Sequence, residues 1–138
     1  MGYEVLSRHQ SKIDCEDDVA VVRRDVRLLA QHCKLDAFAT AAVTTATSEL
    51  TRNVWVHAKR GQATIEEIAE GDRVGLRVQF RDEGPGIADI DRVLAGGYST
   101  VRSMGLGLSG SRRLVDDFAL ETIVGKGTVI TLVKWKLY

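Results

Sequence analysis

Apolar residues recur at intervals of three and four from Val19 through Val22, Val26 and Leu29 to Cys33, the spacing that lines one face of an α-helix. Asp14 stands upstream, where a short acceptor side chain can cap the first turn. A second stripe, Phe38, Ala42, Ala46, Leu50 and Val54, predicts a longer helix that starts from a cap at Asp36 and ends near Gly61. Lys59 and Arg60 then fall where the helix dipole favours cations. Between Gln62 and Asp82 the period drops to two. Val74, Leu76, Val78 and Phe80 point one way and Arg77, Gln79 and Arg81 the other, as in a strand with one buried and one wet face. Glu70-Gly71-Asp72 reads as a hairpin turn, and Tyr3 to His9 as an opening strand. Further on, Asp89 to Ala95 allows a short helix, and the polar, glycine-bounded stretch from Gly96 to Gly107 suits a mobile loop. Leu108, Leu114, Val115 and Phe118 suggest a third main helix. The β-rich runs Leu120 to Val124 and Thr128 to Leu137 flank the turn Gly125-Lys126-Gly127.

Helices grouped with a mostly antiparallel sheet, without regular βαβ alternation, predict an α+β fold: a two-layer sandwich with helices on one face. With 138 residues, 44% of them hydrophobic, one domain over residues 1–138 is expected. Nineteen basic and 19 acidic residues give a net charge of zero, which removes the long-range field expected of a nucleic-acid or anionic-membrane binder. Apolar runs stay short of the ~20 residues that span a bilayer. Met1 to Ser7 lacks a basic then apolar layout, so a soluble, cytoplasmic protein is expected. Cys15 and Cys33 have no zinc-like spacing and read as reduced thiols. His9, His32 and His57 are scattered and outline no Ser/His/Asp arrangement.

Three short motifs carry candidate chemistry. Glu49 and Asn53 lie four apart on the second predicted helix and so share a face. A carboxylate and an amide oxygen so placed suit a magnesium ion and its phosphates, although the same pair also fits a solvated helix face. Asp82-Glu83-Gly84-Pro85-Gly86 follows a strand end. There a carboxylate can accept from an exocyclic amine while the glycines let backbone approach a flat ring; a plain turn has the same letters. Gly105-Leu106-Gly107-Leu108-Ser109-Gly110 leads into a helix and either cradles an anion or is simply a flexible loop. It fits neither the lysine-bearing phosphate loop nor the dinucleotide fingerprint.

In this order the three motifs resemble the N box, G1 box and G2 box of the GHKL, or Bergerat, ATP-binding fold. Ser48-Glu49-Leu50-Thr51-Arg52-Asn53, Asp82-Glu83-Gly84-Pro85-Gly86-Ile87 and Gly97-Tyr98-Ser99-Thr100 narrow the resemblance to the stressosome switch kinases of the anti-sigma-factor kinase group. Gly61-Gln62, Gly125-Lys126-Gly127-Thr128 and Lys134-Trp135 extend it over nearly the whole chain. The resemblance implies ATP and Mg²⁺ as cofactors, with Asn53 as the metal ligand and Asp82 on the adenine amine. It implies Gly84, Gly86 and Ile87 around the base, Gly105, Leu106, Gly107 and Leu108 closing on the phosphates, and Thr128 supporting the adenine. Glu49 would be the catalytic base. Ser103-Met104 depart from the further glycine common before Gly105, and His57 matches a frequent histidine with a packing or hydrogen-bonding role. The implied activity is a protein-serine/threonine kinase acting on a STAS-domain antagonist and, once released, activating a PP2C-type phosphatase or similar output protein. The competing expectation is a nucleotide-gated binding module without significant kinase activity. The sequence leaves the oligomeric state open.

Overall fold

The computed structural model describes residues 2–88 and 104–137, the latter with backbone alone for 104–107. The expected short helix at Asp89 to Ala95, the Gly97-Tyr98-Ser99-Thr100 motif and Gly96 to Ser103 of the expected loop lie outside the described residues. The elements run β1 (Glu4–Ile13), α1 (Asp18–His32), α2 (Ala37–Ala58), β2 (Gly61–Glu70), β3 (Arg73–Asp82), α3 (Met104–Leu114), β4 (Asp117–Ile123) and β5 (Gly127–Trp135). The strands form one antiparallel sheet in the order β1-β2-β3-β5-β4. This is the predicted α+β sandwich.

The sheet's helix-facing side alternates as the sequence requires. Ala63, Ile65, Leu76, Val78, Phe80, Ile130 and Leu132 are all buried there, against Val22, Val26 and Ala30 of α1, Val43, Ala46, Leu50 and Val54 of α2, and Leu108 of α3. Burial at this scale, about 1.5 to 3 kcal/mol per large apolar side chain, fixes the register, because a one-residue slip would turn every strand inside out. The β2–β3 hairpin closes through Glu70 opposite Arg73, with Gly71 at φ 61° in the two-residue turn. β1, at the sheet edge, is exposed along most of its length, Val5 and Leu6 included, and only Ile13 at its end is buried.

Several boundaries differ from expectation for identifiable reasons. Asp36 does cap α2, its carboxylate accepting from the Ala39 backbone N–H at 2.7 Å. The buried stripe, however, is Ala39, Val43, Ala46, Leu50 and Val54, and Phe38 is 85% exposed. Lys59, at φ 67°, ends the helix after Ala58. Asp14 does not cap α1. Instead Asp18 reaches back, accepting from the Asp14 and Cys15 N–H groups at 2.9 and 3.3 Å. The third helix starts at Met104 and stops at Leu114, and Phe118 belongs to β4, where it faces Leu132. Both cysteines are free thiols; burial beside Glu67 pushes Cys33 up to about 12. Among the described residues no helix is long and apolar enough to cross a membrane.

The exchange of Phe38 for Ala39 in the stripe has a measurable consequence. Phe38→Ser should shift stability by no more than about 0.5 kcal/mol, as for a surface site. Asp36→Ala should cost about 0.5 to 2 kcal/mol through the lost cap. Urea unfolding midpoints that reversed this order would contradict the observed rotation of α2.

Candidate functional site

Antiparallel register sets Gly61, Asp82, Thr128 and Thr122 side by side across β2, β3, β5 and β4. The next row on the same face is Ala63, Phe80, Ile130 and Leu120. A polar rung therefore stands at the end of an apolar sheet face. α2 crosses this end, and its residues Leu50, Asn53, Val54, His57 and Ala58 share one helical face. They enclose a pocket with Phe80, Asp82, Thr128 and Ile130 of the sheet, Leu108 of α3, and Pro85, Gly86 and Ile87 of the segment after β3.

That segment is shaped by its glycines. A Cβ at Gly84 would stand 2.6 Å from the Ala58 Cβ, and Gly86 has φ 78° with its missing Cβ 2.6 Å from the Ile123 carbonyl oxygen. Only glycine fits both demands without strain. Gly84 N–H donates to Asp82 Oδ1 at 2.9 Å. The loop is fastened to the β4–β5 hairpin by Gly125 N–H donating to the Pro85 carbonyl at 2.8 Å and Ile87 N–H donating to Thr122 Oγ1 at 2.9 Å. Thr122 Oγ1 also lies 3.1 Å from the Gly127 carbonyl oxygen and 2.9 Å from Thr128 Oγ1.

Burial raises the Asp82 pKa above the ordinary carboxylate value, opposed by hydrogen bonds from the Gly84 and Thr128 backbone and by nearby His57. His57 is shifted down by burial and by Lys59, which favours a neutral imidazole in the pocket wall. Asn53 Nδ2 is buried with no hydrogen-bond partner among the described residues. A buried amide left incomplete costs free energy unless a ligand completes it. An apolar slot edged by oxygen acceptors suits a planar heterocycle with an amino group. The unpartnered Asn53 Nδ2 is a donor and suits an acceptor on the polar remainder of such a ligand, such as a phosphate oxygen.

Of the residues singled out in the sequence, Asn53, Asp82, Gly86, Ile87, Leu108 and Thr128 come together in this pocket. Gly84 lies behind it against Ala58. Glu49 sits one turn before Asn53 and outside the lining, half-buried and 3.4 Å from the Arg52 guanidinium. Gly105, Leu106 and Gly107 do not precede the third helix as expected but lie within its first four residues, since α3 begins at Met104. Sequence reasoning missed Thr122, which bears no motif. Counting outward from Gly125 at the centre of the hairpin turn pairs it with Thr128, the one signal available.

The histidine kinase-like ATPase domain model matches residues 13–134. The serine/threonine-protein kinase RsbT of Bacillus subtilis (strain 168) is 40% identical over 124 residues, covering 90% of this chain and 93% of the relative. The anti-sigma F factor of Thermoanaerobacter sp. (strain X514) is 30% identical over 101 residues, 69% of each chain. The crystal structure of the SiaB-SiaC complex from Pseudomonas aeruginosa contains the same fold, with a TM-score of 0.56 at 12% identity over 95% of this chain and 90% of that one. The chain thus belongs to the histidine kinase-like ATPase domain family and, within it, to the serine/threonine-protein kinase group represented by RsbT.

Proposed function

We propose that this protein transfers the γ-phosphate of Mg-ATP to a serine or threonine of a STAS-domain antagonist in a cytoplasmic partner-switching module. Once released from that antagonist, it binds and activates a PP2C-type phosphatase or similar output protein. The observation that carries the reading is the convergence of Asn53, Asp82 and Thr128, from α2, β3 and β5, on one pocket, in a chain 40% identical to a serine/threonine-protein kinase.

In this reading Asp82 and Thr128 receive the adenine amino group, and Phe80, Ile130 and Leu108 supply apolar contact to the ring. Asn53 turns its amide oxygen to the magnesium ion. ATP and Mg²⁺ supply the transferable phosphoryl group and the neutralisation of its charge; the protein's work is mainly to position and to exclude water. Glu49 takes the proton from the attacking hydroxyl, helped by its place one turn from Asn53. The pair with Arg52, with side chains 34% and 45% exposed, is weak enough for a substrate to displace.

That same pair favours a second reading, in which nucleotide only gates capture of a partner and no phosphate moves. Glu49 is engaged away from the pocket lining, and several relatives are anti-sigma F factors. Phosphate on the STAS-domain protein separates the two. Glu49→Gln should reduce transfer by about 10²- to 10⁴-fold, the usual worth of a general base, with ATP affinity little changed. Equal transfer by the variant would remove Glu49 from the chemistry, and no transfer by either form would favour the gated module.

Asp82 ties stability to function. Its pKa is raised by folding, so its contribution to stability is fully present below the unfolded value of 3.8 and is lost as pH rises through the folded pKa. Asp82→Asn should therefore raise the urea midpoint of the nucleotide-free protein at pH 7, with the gain vanishing below about pH 4. The same change leaves an amide donor against the adenine amine and should weaken ATP binding about tenfold or more, the worth of about 1 to 3 kcal/mol. Calorimetry showing unchanged affinity would misplace the adenine pocket.

A further inference from the structure

The hydrogen bonds around Thr122 determine which way the Thr128 hydroxyl points. A threonine hydroxyl has one proton to give and two lone pairs. Thr122 Oγ1 takes the Ile87 N–H at 2.9 Å, which occupies one lone pair. The Gly127 carbonyl oxygen, 3.1 Å away, can only accept, so the single Thr122 proton goes there. The remaining contact, 2.9 Å to Thr128 Oγ1, then has Thr128 as donor and the second Thr122 lone pair as acceptor. All three bonds are satisfied in one arrangement.

The consequence falls on the pocket. Thr128 is buried and lines it beside Asp82, its cross-strand neighbour. With its proton committed to Thr122, Thr128 presents only lone pairs to a ligand. The Asp82 carboxylate likewise only accepts, so the polar rung becomes acceptor-only over two adjacent side chains. Resting on the nucleotide reading above, we propose that Thr122 is a positioning residue which fixes Thr128 as an acceptor. It thereby makes the pocket select a purine with an amino group at position 6 over one with an oxygen there. A 6-oxo purine sets its oxygen against these acceptors, and a site built to receive a donor strongly rejects an analogue lacking it.

Replacing Thr122 by valine keeps the shape and removes the acceptor of the Thr128 proton. That proton then turns into the pocket and can serve a 6-oxo group. The Ile87 N–H and Gly127 carbonyl also lose their partner, which weakens binding of any purine nucleotide, so the informative quantity is the ratio between nucleotides.

The test is calorimetric titration of the full chain with Mg-ATP and, separately, Mg-inosine triphosphate, for wild type, Thr122→Val, Thr122→Ser and Thr128→Val. Wild type should prefer ATP by about tenfold or more, Thr122→Val should lose about tenfold of that preference, and Thr122→Ser should keep it. Thr128→Val should lose a similar part, which keeps the test decisive if Thr122→Val does not fold. Equal weakening of both nucleotides in Thr122→Val, with the wild-type ratio intact, would make Thr122 a mere fastener of the loop and overturn the inference. Equal binding of both nucleotides by wild type would overturn it while leaving the pocket standing. Binding of neither would instead defeat the nucleotide reading on which it rests.

Discussion

The register of the antiparallel sheet is the constraint on which everything at the site depends. It is set by burial of Ile65, Val78 and Leu132 in one row and Ala63, Phe80 and Ile130 in the next, where Phe80 and Ile130 also wall the pocket. Two residues further along each strand, the same register leaves Asp82, Thr128 and Thr122 as the final rung. A slip of one position in β5 would bury Val129 and Thr131 and send Thr128 to the opposite face. The hydrophobic core thus pays for the placement of the polar groups.

The sheet's other face shows what polar residues do when no such pocket is needed. Glu66 is buried between Arg8 and Arg77, receiving the Arg8 Nε at 2.7 Å on one oxygen and the Arg77 Nε at 2.7 Å on the other. These bonds outweigh its burial and hold its carboxyl below the ordinary range. Trp135 lies across from Gly75, whose missing Cβ would stand 2.7 Å from the indole, and the Arg73 guanidinium covers the ring at 3.9 Å. Here the buried carboxylate of Glu66 has two charged partners. Asp82, by contrast, keeps a raised pKa, and Asn53 Nδ2 has no hydrogen-bond partner among the described residues. Incomplete polar groups in an enclosed apolar setting mark a site kept for a ligand.

Much of this was legible in the sequence, because periodicity reports burial directly. Val74 to Phe80 gave the central strand and its two faces, and Asp36 gave the start of α2. The motif residues Asn53, Asp82, Gly86 and Thr128 were found because each has a side chain or a freedom that chemistry requires at that spot. The errors arose where two periods fit the same letters. Phe38 fits a stripe with Ala42 and Ala46 as well as Ala39 fits one with Val43, and in an alanine-rich helix only packing against α1 decides. Leu114, Val115 and Phe118 satisfy a helical spacing, yet Phe118, Leu120 and Thr122 alternate as β4 does. Thr122 was invisible because its role lies in a pairing across a hairpin and in a loop from another part of the chain. A polar residue in a strand otherwise reads as solvent-facing.

The most direct measurement is a crystal structure of the chain with Mg²⁺ and a non-hydrolysable ATP analogue. The account predicts the purine amino group within hydrogen-bond distance of Asp82 and Thr128 Oγ1, the ring against Phe80 and Ile130, and the Asn53 amide oxygen turned to the metal. A base seated elsewhere, or an Asn53 amide that touches neither metal nor phosphate, would contradict it.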